Sequence, residues 1–338
     1  MTMNQDNLVA TIRTAALNQD AIDWLLEPSD PSAHYLALLW LRDRPHDDPE
    51  VMAAQRAVAR SEPVQRLLDA QRPVGYWERD ERPYHGVSKH LITLEHLGYR
   101  GRDERVHKAI AYLFQHAQMD DGAFTSDKQE AGRSGVIPCF TANAVHFLYW
   151  FGYGDDGRTE RALEYLLRTP LDDGGWLCAE RVKKTHACFW ATAKVLRALN
   201  DLPQERQTSQ VQEAQRRAVE LFLERGLYHH HSEFGKVSTR WFEFARPLFA
   251  STDVLEVLQL IAPYVSLEDE RIREGLELVL AKQDHLGRWP SEREIRVRKT
   301  FPIGFEDVSQ PSKSVTLHAL MMLNALLRPS DDGQDTAQ

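Results

Sequence analysis

Residues 138–188 decide the fold. With their flanks they read IPCFTANAVHFLYWFGYGDD (137–156), RTERALEYLLRT (158–169), LDDGGWLC (171–178) and KKTHACFWATAKVLRAL (183–199). The first run is apolar on nearly every side. The second places its apolar residues at helical spacing and its charges on the opposite face. A Gly-rich turn ending in Trp176 follows, and then the next apolar run begins. This is one complete structural repeat.

Working outward, the same words recur. Turns ending in an aromatic residue fall at Trp77, Phe124, Trp176, Tyr228 and Trp289, at intervals of 47, 52, 52 and 61 residues. A period of this length predicts a helical repeat, in which each pair of helices buries its face against its neighbours. The amphipathic members are expected over 8–26, 51–68 (bent near Pro63), 103–118, 159–168, 211–224 and 270–282. The apolar members are expected over 33–41, 87–97, 139–151, 186–199, 254–261 and 313–327. Two alternating kinds imply two concentric layers, with amphipathic helices outside and apolar ones inside. An open solenoid would leave one face of the apolar layer in water. The expectation is therefore an all-α fold, a closed α/α toroid of about six outer–inner pairs. It forms one domain over 1–328, with a disordered polar tail at 329–338. The segment 229–246 is a long polar insertion, read as a lid or cavity wall, or equally as simple packing.

The Q-x-x-x-G-x-W turns, of which Asp172-Asp173-Gly174-Gly175-Trp176 is the clearest, resemble the repeats of squalene–hopene cyclases. They are similar also to the matching turns of protein prenyltransferase β subunits. The resemblance spans about 65–327 as an architecture. It implies a toroid whose central cavity receives an apolar, isoprenoid ligand, and hence a cyclase-like or transferase-like enzyme. The acidic motifs depart from it. Neither the Asp-x-Asp-Asp motif that protonates an alkene nor the diphosphate-ionising Asp-Asp-x-x-Asp motif occurs. Asp155-Asp156 stands before an outer helix, where carboxylates cap open N–H groups and favour the helix dipole. The rival reading is a non-catalytic binding or scaffold protein with a structural zinc or no metal.

Composition sets broad limits. The 338 residues are 42% hydrophobic and 27% charged, ordinary values for a chain with a sizeable core. A net charge of −9 argues against a nucleic-acid surface, which needs clustered cations. No apolar run approaches the ~20 residues of a membrane span. The first twenty residues lack the pattern of a signal peptide, so a cytoplasmic protein with reduced thiols is expected.

All three cysteines fall in or beside the central repeat. Cys139 and Cys188 open consecutive inner helices, Cys178 lies just beyond Trp176, and His186 stands two residues before Cys188. Parallel inner helices would bring these to one rim, where three thiolates and an imidazole would make a tetrahedral zinc site. The plain alternative is three small buried residues. A Cys188–His186 nucleophile pair is a third reading. The run His229-His230-His231 reads as a polar loop. For the cavity mouth the candidates are Tyr84, His85, Trp241, Asp253 and Lys313, each with a structural alternative as loop, packing, cap or solvated residue.

Overall fold

The computed structural model describes residues 4–77, 86–101, 103–126, 128, 135–179, 186–228 and 238–328. Among them the regular structure is helical, with isolated bridges in place of strands. The expected tail at 329–338 lies outside the described residues. No described helix is long and apolar enough to cross a membrane.

The outer layer begins with α1 (Gln5–Ala16) and α2 (Gln19–Leu25), and α3 (Pro31–Trp40) is the first inner helix. The chain continues outside with α4 (Pro49–Arg60) and α5 (Glu62–Asp69), then inside with α6 (Ser88–His96). Next come α7 (Glu104–His116), inner α8 (Pro138–Trp150), α9 (Gly157–Arg168) and inner α10 (Phe189–Asn200). The ring ends with α11 (Ser209–Glu224), inner α12 (Val254–Ile261), α13 (Glu270–Leu280) and inner α14 (Lys313–Leu327).

Local chemistry sets the helix starts. Side chains of Asn18, Asp30, Asp103, Asp156, Asp253 and Ser312 each accept a backbone N–H of the first turn, satisfying donors that a helix start leaves open. Asp156 is thus a cap, as its position suggests. Two outer helices are broken, one expected as a single rod and one expected to bend near Pro63. The 8–26 run splits at Leu17-Asn18, because Asn18 captures the Ala21 N–H and restarts the helix. The 51–68 run splits at Ser61, with Pro63 in the first turn of α5, where its missing N–H costs no hydrogen bond.

The ring closes. In order, α6, α8, α10, α12, α14 and α3 pack side by side, and α1 lies against both α13 and α14. Between α3 and α6 the seam is made by Gly98, at φ +78°, where a Cβ would stand 2.8 Å from the Tyr35 ring. Only glycine accepts both that conformation and that approach.

The turns hold the two layers together. Trp77, Phe124, Trp176 and Trp289 are all fully buried. Each tryptophan donates its indole N–H to a carbonyl ten residues upstream, near the end of its own outer helix: Trp77 to Leu67 (2.6 Å), Trp176 to Leu166 (2.9 Å) and Trp289 to Val279 (2.7 Å). Three of the four aromatics also give their backbone N–H to a threonine on the following inner helix. Phe124 reaches Thr141 (2.9 Å), Trp176 reaches Thr192 (3.1 Å) and Trp289 reaches Thr316 (2.9 Å). The turn glutamines bind the next outer helix, Gln71 at Arg105 O (2.8 Å) and Gln118 at Arg158 O (2.7 Å). Each turn therefore ties its outer helix to an inner helix or to the next outer helix. Replacing Trp176 with Ala removes a large buried ring and an indole hydrogen bond. It is expected to cost ~3–5 kcal/mol of unfolding free energy in urea titration; a cost below ~1 kcal/mol would show that the turns are not staples.

Candidate active site in the central cavity

The inner helices are less apolar than expected. Each of α6, α8, α10 and α12 carries ionisable side chains on the face it turns to the ring's interior. They surround a cavity of about 1300 Å³, above the ~300–1000 Å³ usual for small-molecule sites. One part of the wall is apolar, with Leu36, Trp40, Leu248, Leu317 and Met321; another is charged.

Three successive inner helices build the most reactive group. Glu95 ends α6, His146 lies in the last turns of α8, and Asp201 follows α10. His146 Nε2 stands 3.2 Å from Glu95 Oε1, and its Nδ1 stands 2.8 Å from Asp201 Oδ2. These are charge contacts, since neither ring nitrogen is aimed well enough for a hydrogen bond. Burial and the nearby Arg197 work against a charged His146, but the two carboxylates prevail and raise its pKa above the usual 6.5. Burial likewise opposes ionisation of Glu95, yet the charge of His146, aided by Arg197, holds it at about 2. The trio is thus an imidazolium between two carboxylates. His146 and Glu95 are nearly buried, whereas half of the Asp201 side chain is exposed.

Two buried pairs brace the next sector. Lys194 is wholly buried and donates to both oxygens of Glu256, each at 2.8 Å. Burial pushes Lys194 down to about 8, and the charge of Lys194 holds Glu256 below its usual range despite burial. Arg246 grips Asp253 through two guanidinium nitrogens, at 2.6 and 3.3 Å. Two histidines in the wall are held neutral. Burial, reinforced by Arg246 and Arg197 and opposed by Glu95, takes His96 to about 4. Burial, with Arg246 next, takes His318 well below 6.5. His96 Nε2 meets Ser314 Oγ at 3.3 Å, and His318 Nδ1 meets Gln259 Oε1 at 3.0 Å.

The residues singled out from sequence divide. Lys313 lines the cavity and pairs with Glu27 at 3.0 Å. Asp253 caps α12 and acts on the wall only through Arg246. Trp241 sits on a short 3₁₀ turn, buried in the core against Phe189, and is not among the residues lining the cavity. Tyr84, His85 and the run His229-His230-His231 lie outside the described residues.

The cysteines depart from the expectation of three reduced thiols. Cys178 and Cys188 form a disulfide. The Cys188 N–H donates to Trp176 O at 2.8 Å, and the Cys178 and Cys188 Cα atoms stand 5.5 Å apart. Cys139 is buried and outside that bond. Among the described residues no three His, Cys, Asp or Glu side chains are grouped to hold a metal, so Cys139, Cys178, His186 and Cys188 are not brought together as a ligand set. A disulfide sulfur is not a thiolate ligand, and a zinc shared by these four would need the reduced chain.

No family model and no curated protein matches this sequence. Solved structures do. A protein from Actinoplanes aligns over 93% of this chain and 99% of its own, at 17% identity and a TM-score of 0.47. A variant of the type II terpene cyclase MstE from Scytonema, bound to its substrate geranylgeranyl dihydroxybenzoate, aligns over 95% and 98%, at 16% identity and 0.49. An unsaturated glucuronyl hydrolase specific for heparin aligns over 96% and 97%, at 11% and 0.45. The chain is an α/α toroid.

Two outcomes test this description. Lys194→Met, which strands a buried carboxylate, is expected to cost ~3–5 kcal/mol, and adding Glu256→Leu should recover much of it; a double variant no better than the single one would refute the paired reading. Unfolded without reductant, the protein should show one reactive thiol per chain, and reduction should lower stability by about 2–3 kcal/mol through the short loop it opens. Three reactive thiols would remove the disulfide from the account.

Proposed function

We propose that this toroid is an enzyme acting on an amphiphilic small molecule in its central cavity, with Asp201, His146 and Glu95 exchanging a proton with the ligand's polar end. The observation that carries this reading is the imidazolium between two carboxylates on the wall of a large cavity. General acid–base catalysis needs a proton held near neutral pH and a path to the ligand. His146 holds the proton, Glu95 keeps the ring charged and oriented, and Asp201 is the member open to the cavity. The apolar wall supports a hydrocarbon body, for which an isoprenoid chain is the class carried forward. An imidazolium is too weak an acid to protonate an isolated alkene. The group therefore suits proton transfer at oxygen or nitrogen, or at carbon next to a carbonyl. Cyclisation by alkene protonation, which the resemblance implies, has no counterpart in this trio.

The second reading is a ligand carrier without chemistry, favoured by the fully paired Lys194–Glu256 and Arg246–Asp253 contacts. Calorimetry with farnesoate, in buffers of different ionisation enthalpy, separates the two. A proton-exchanging site should take up or release a fraction of a proton on binding, and His146→Gln should abolish it. Binding without linked protons in the wild type would favour the carrier.

The pH dependence has a definite sign. His146 has a raised pKa, so its contribution to stability is full below about 6.5 and is lost as pH rises through the folded value. Glu95 is depressed to about 2, so its contribution is full above about 4.5 and is lost as pH falls toward 2. The stability difference between wild type and His146→Gln should therefore shrink as pH rises above about 6.5. A difference flat from pH 5 to 9 would count against the charged trio.

A further inference from the structure

The proton-exchanging group does not account for all the charge around it. Arg100 follows α6 and lines the same cavity. Its guanidinium lies 3.8 Å from the centre of the Trp150 ring. Among the described residues it makes no hydrogen bond or ion pair, and its Nε is buried without a partner. Arg197, on α10, is weakly held. Its Nη2 is 3.3 Å from Asn143 Oδ1, its Nη1 is 3.9 Å from Glu256 Oε1, and its Nε is also buried without a partner. The other Arg and Lys side chains that line the cavity each have a close carboxylate: Arg246 has Asp253, and Lys313 has Glu27.

Glu95 and Asp201 share the imidazolium of His146. Arg100 is left without a carboxylate at ion-pair distance among the described residues, and Arg197 has only Glu256 at 3.9 Å, a carboxylate already held by Lys194. A partly buried cation without a counterion costs free energy unless something supplies the missing charge. Guanidinium groups are planar forks that match carboxylate and phosphate oxygens. Trp150 packs against the Arg100 guanidinium and restricts its freedom.

We propose that Arg100 and Arg197 form the head-group site of the cavity, taking an anionic oxygen group, carboxylate or phosphate, at the end of an apolar ligand. The Leu36, Trp40, Leu317 and Met321 side of the wall then takes the hydrocarbon body. This deepens the preceding proposal and rests on it, since the head group would lie beside Asp201, where the proton is exchanged.

Calorimetry with three probes of one chain length tests the site: farnesoate, farnesyl phosphate and the neutral methyl farnesoate. The acid should bind at least tenfold more tightly than its methyl ester. Arg100→Gln should remove most of that advantage and leave the ester's affinity within twofold. Arg197→Gln should do the same to a smaller degree. Unchanged ester binding and an unchanged thermal melt establish that each variant is folded. Tighter binding of farnesyl phosphate than of farnesoate would assign the natural head group to a phosphate, and the reverse to a carboxylate. Equal affinity for acid and ester, or a preference that survives both substitutions, would overturn the head-group site while leaving the proton-exchange reading intact. Binding of none of the three would overturn both.

Discussion

The structure depends on one residue donating two hydrogen bonds in two directions. At Trp176 and Trp289 the indole N–H secures the outer helix just completed, and the backbone N–H of the same residue is captured by a threonine of the inner helix to come. One residue thus fixes the distance and the angle between the two layers. The neighbouring glycines complete the constraint. At Gly122 a Cβ would stand 2.2 Å from Arg161 O, and at Gly174 it would stand 2.8 Å from Arg217 O. The turn presses its backbone onto the following outer helix, and only residues that tolerate positive φ without a side chain permit this. Repeating such a turn advances the chain by a fixed rotation until the inner helices meet.

Closure creates the chemistry. A ring of six inner helices encloses more volume than their side chains fill, and groups from helices far apart in sequence face one another. Glu95, His146 and Asp201 come from three different repeats, and Arg100 and Arg197 come from two of them. The price of burying such charges is met by pairing, and Lys194–Glu256 is the limiting case, wholly enclosed and doubly hydrogen-bonded. Pairing of this kind fixes the register of α10 against α12 more narrowly than apolar contact would, because ion pairs and hydrogen bonds are directional.

Much of the ring was legible in the chain. Trp77, Trp176 and Trp289 marked the repeats, and the alternation of amphipathic with apolar helices gave two layers. Helix ends were read to within a few residues where a cap or proline stood, as at Asp253 and Pro138. The break at Asn18 was not expected, since helical periodicity persists through it, whereas the one at Ser61 stands beside Pro63, where a bend is expected. The site was harder to read. Glu95, His146, Lys194, Glu256 and His318 stand in otherwise apolar helices, and that anomaly was the available signal. It was outweighed by the cysteines, whose spacing of one repeat suggested convergence. Spacing along parallel helices places residues at one rim but does not choose between a shared ion and a bond between two of them. The pairing of the Cys188 N–H with Trp176 O makes that choice, and it is a tertiary feature. Trp241 was misplaced for a similar reason, because nothing local tells whether an aromatic residue in an irregular segment faces a lumen or a core.

The seam of the ring has a consequence for how the chain reaches its native state. Lys313 of α14 pairs with Glu27 at a sequence separation of 286, and α14 is also the neighbour of α3. The inner face of α3 therefore waits, during synthesis, for a helix made almost three hundred residues later. At ribosomal speeds of ~5–20 residues per second, that delay is on the order of tens of seconds. Through that interval Leu36 and its neighbours lack their final cover, and the half-made ring is a groove rather than a chamber. Enclosure of the cavity cannot precede synthesis of α14, and a chain stalled short of α14 would lack an enclosed site.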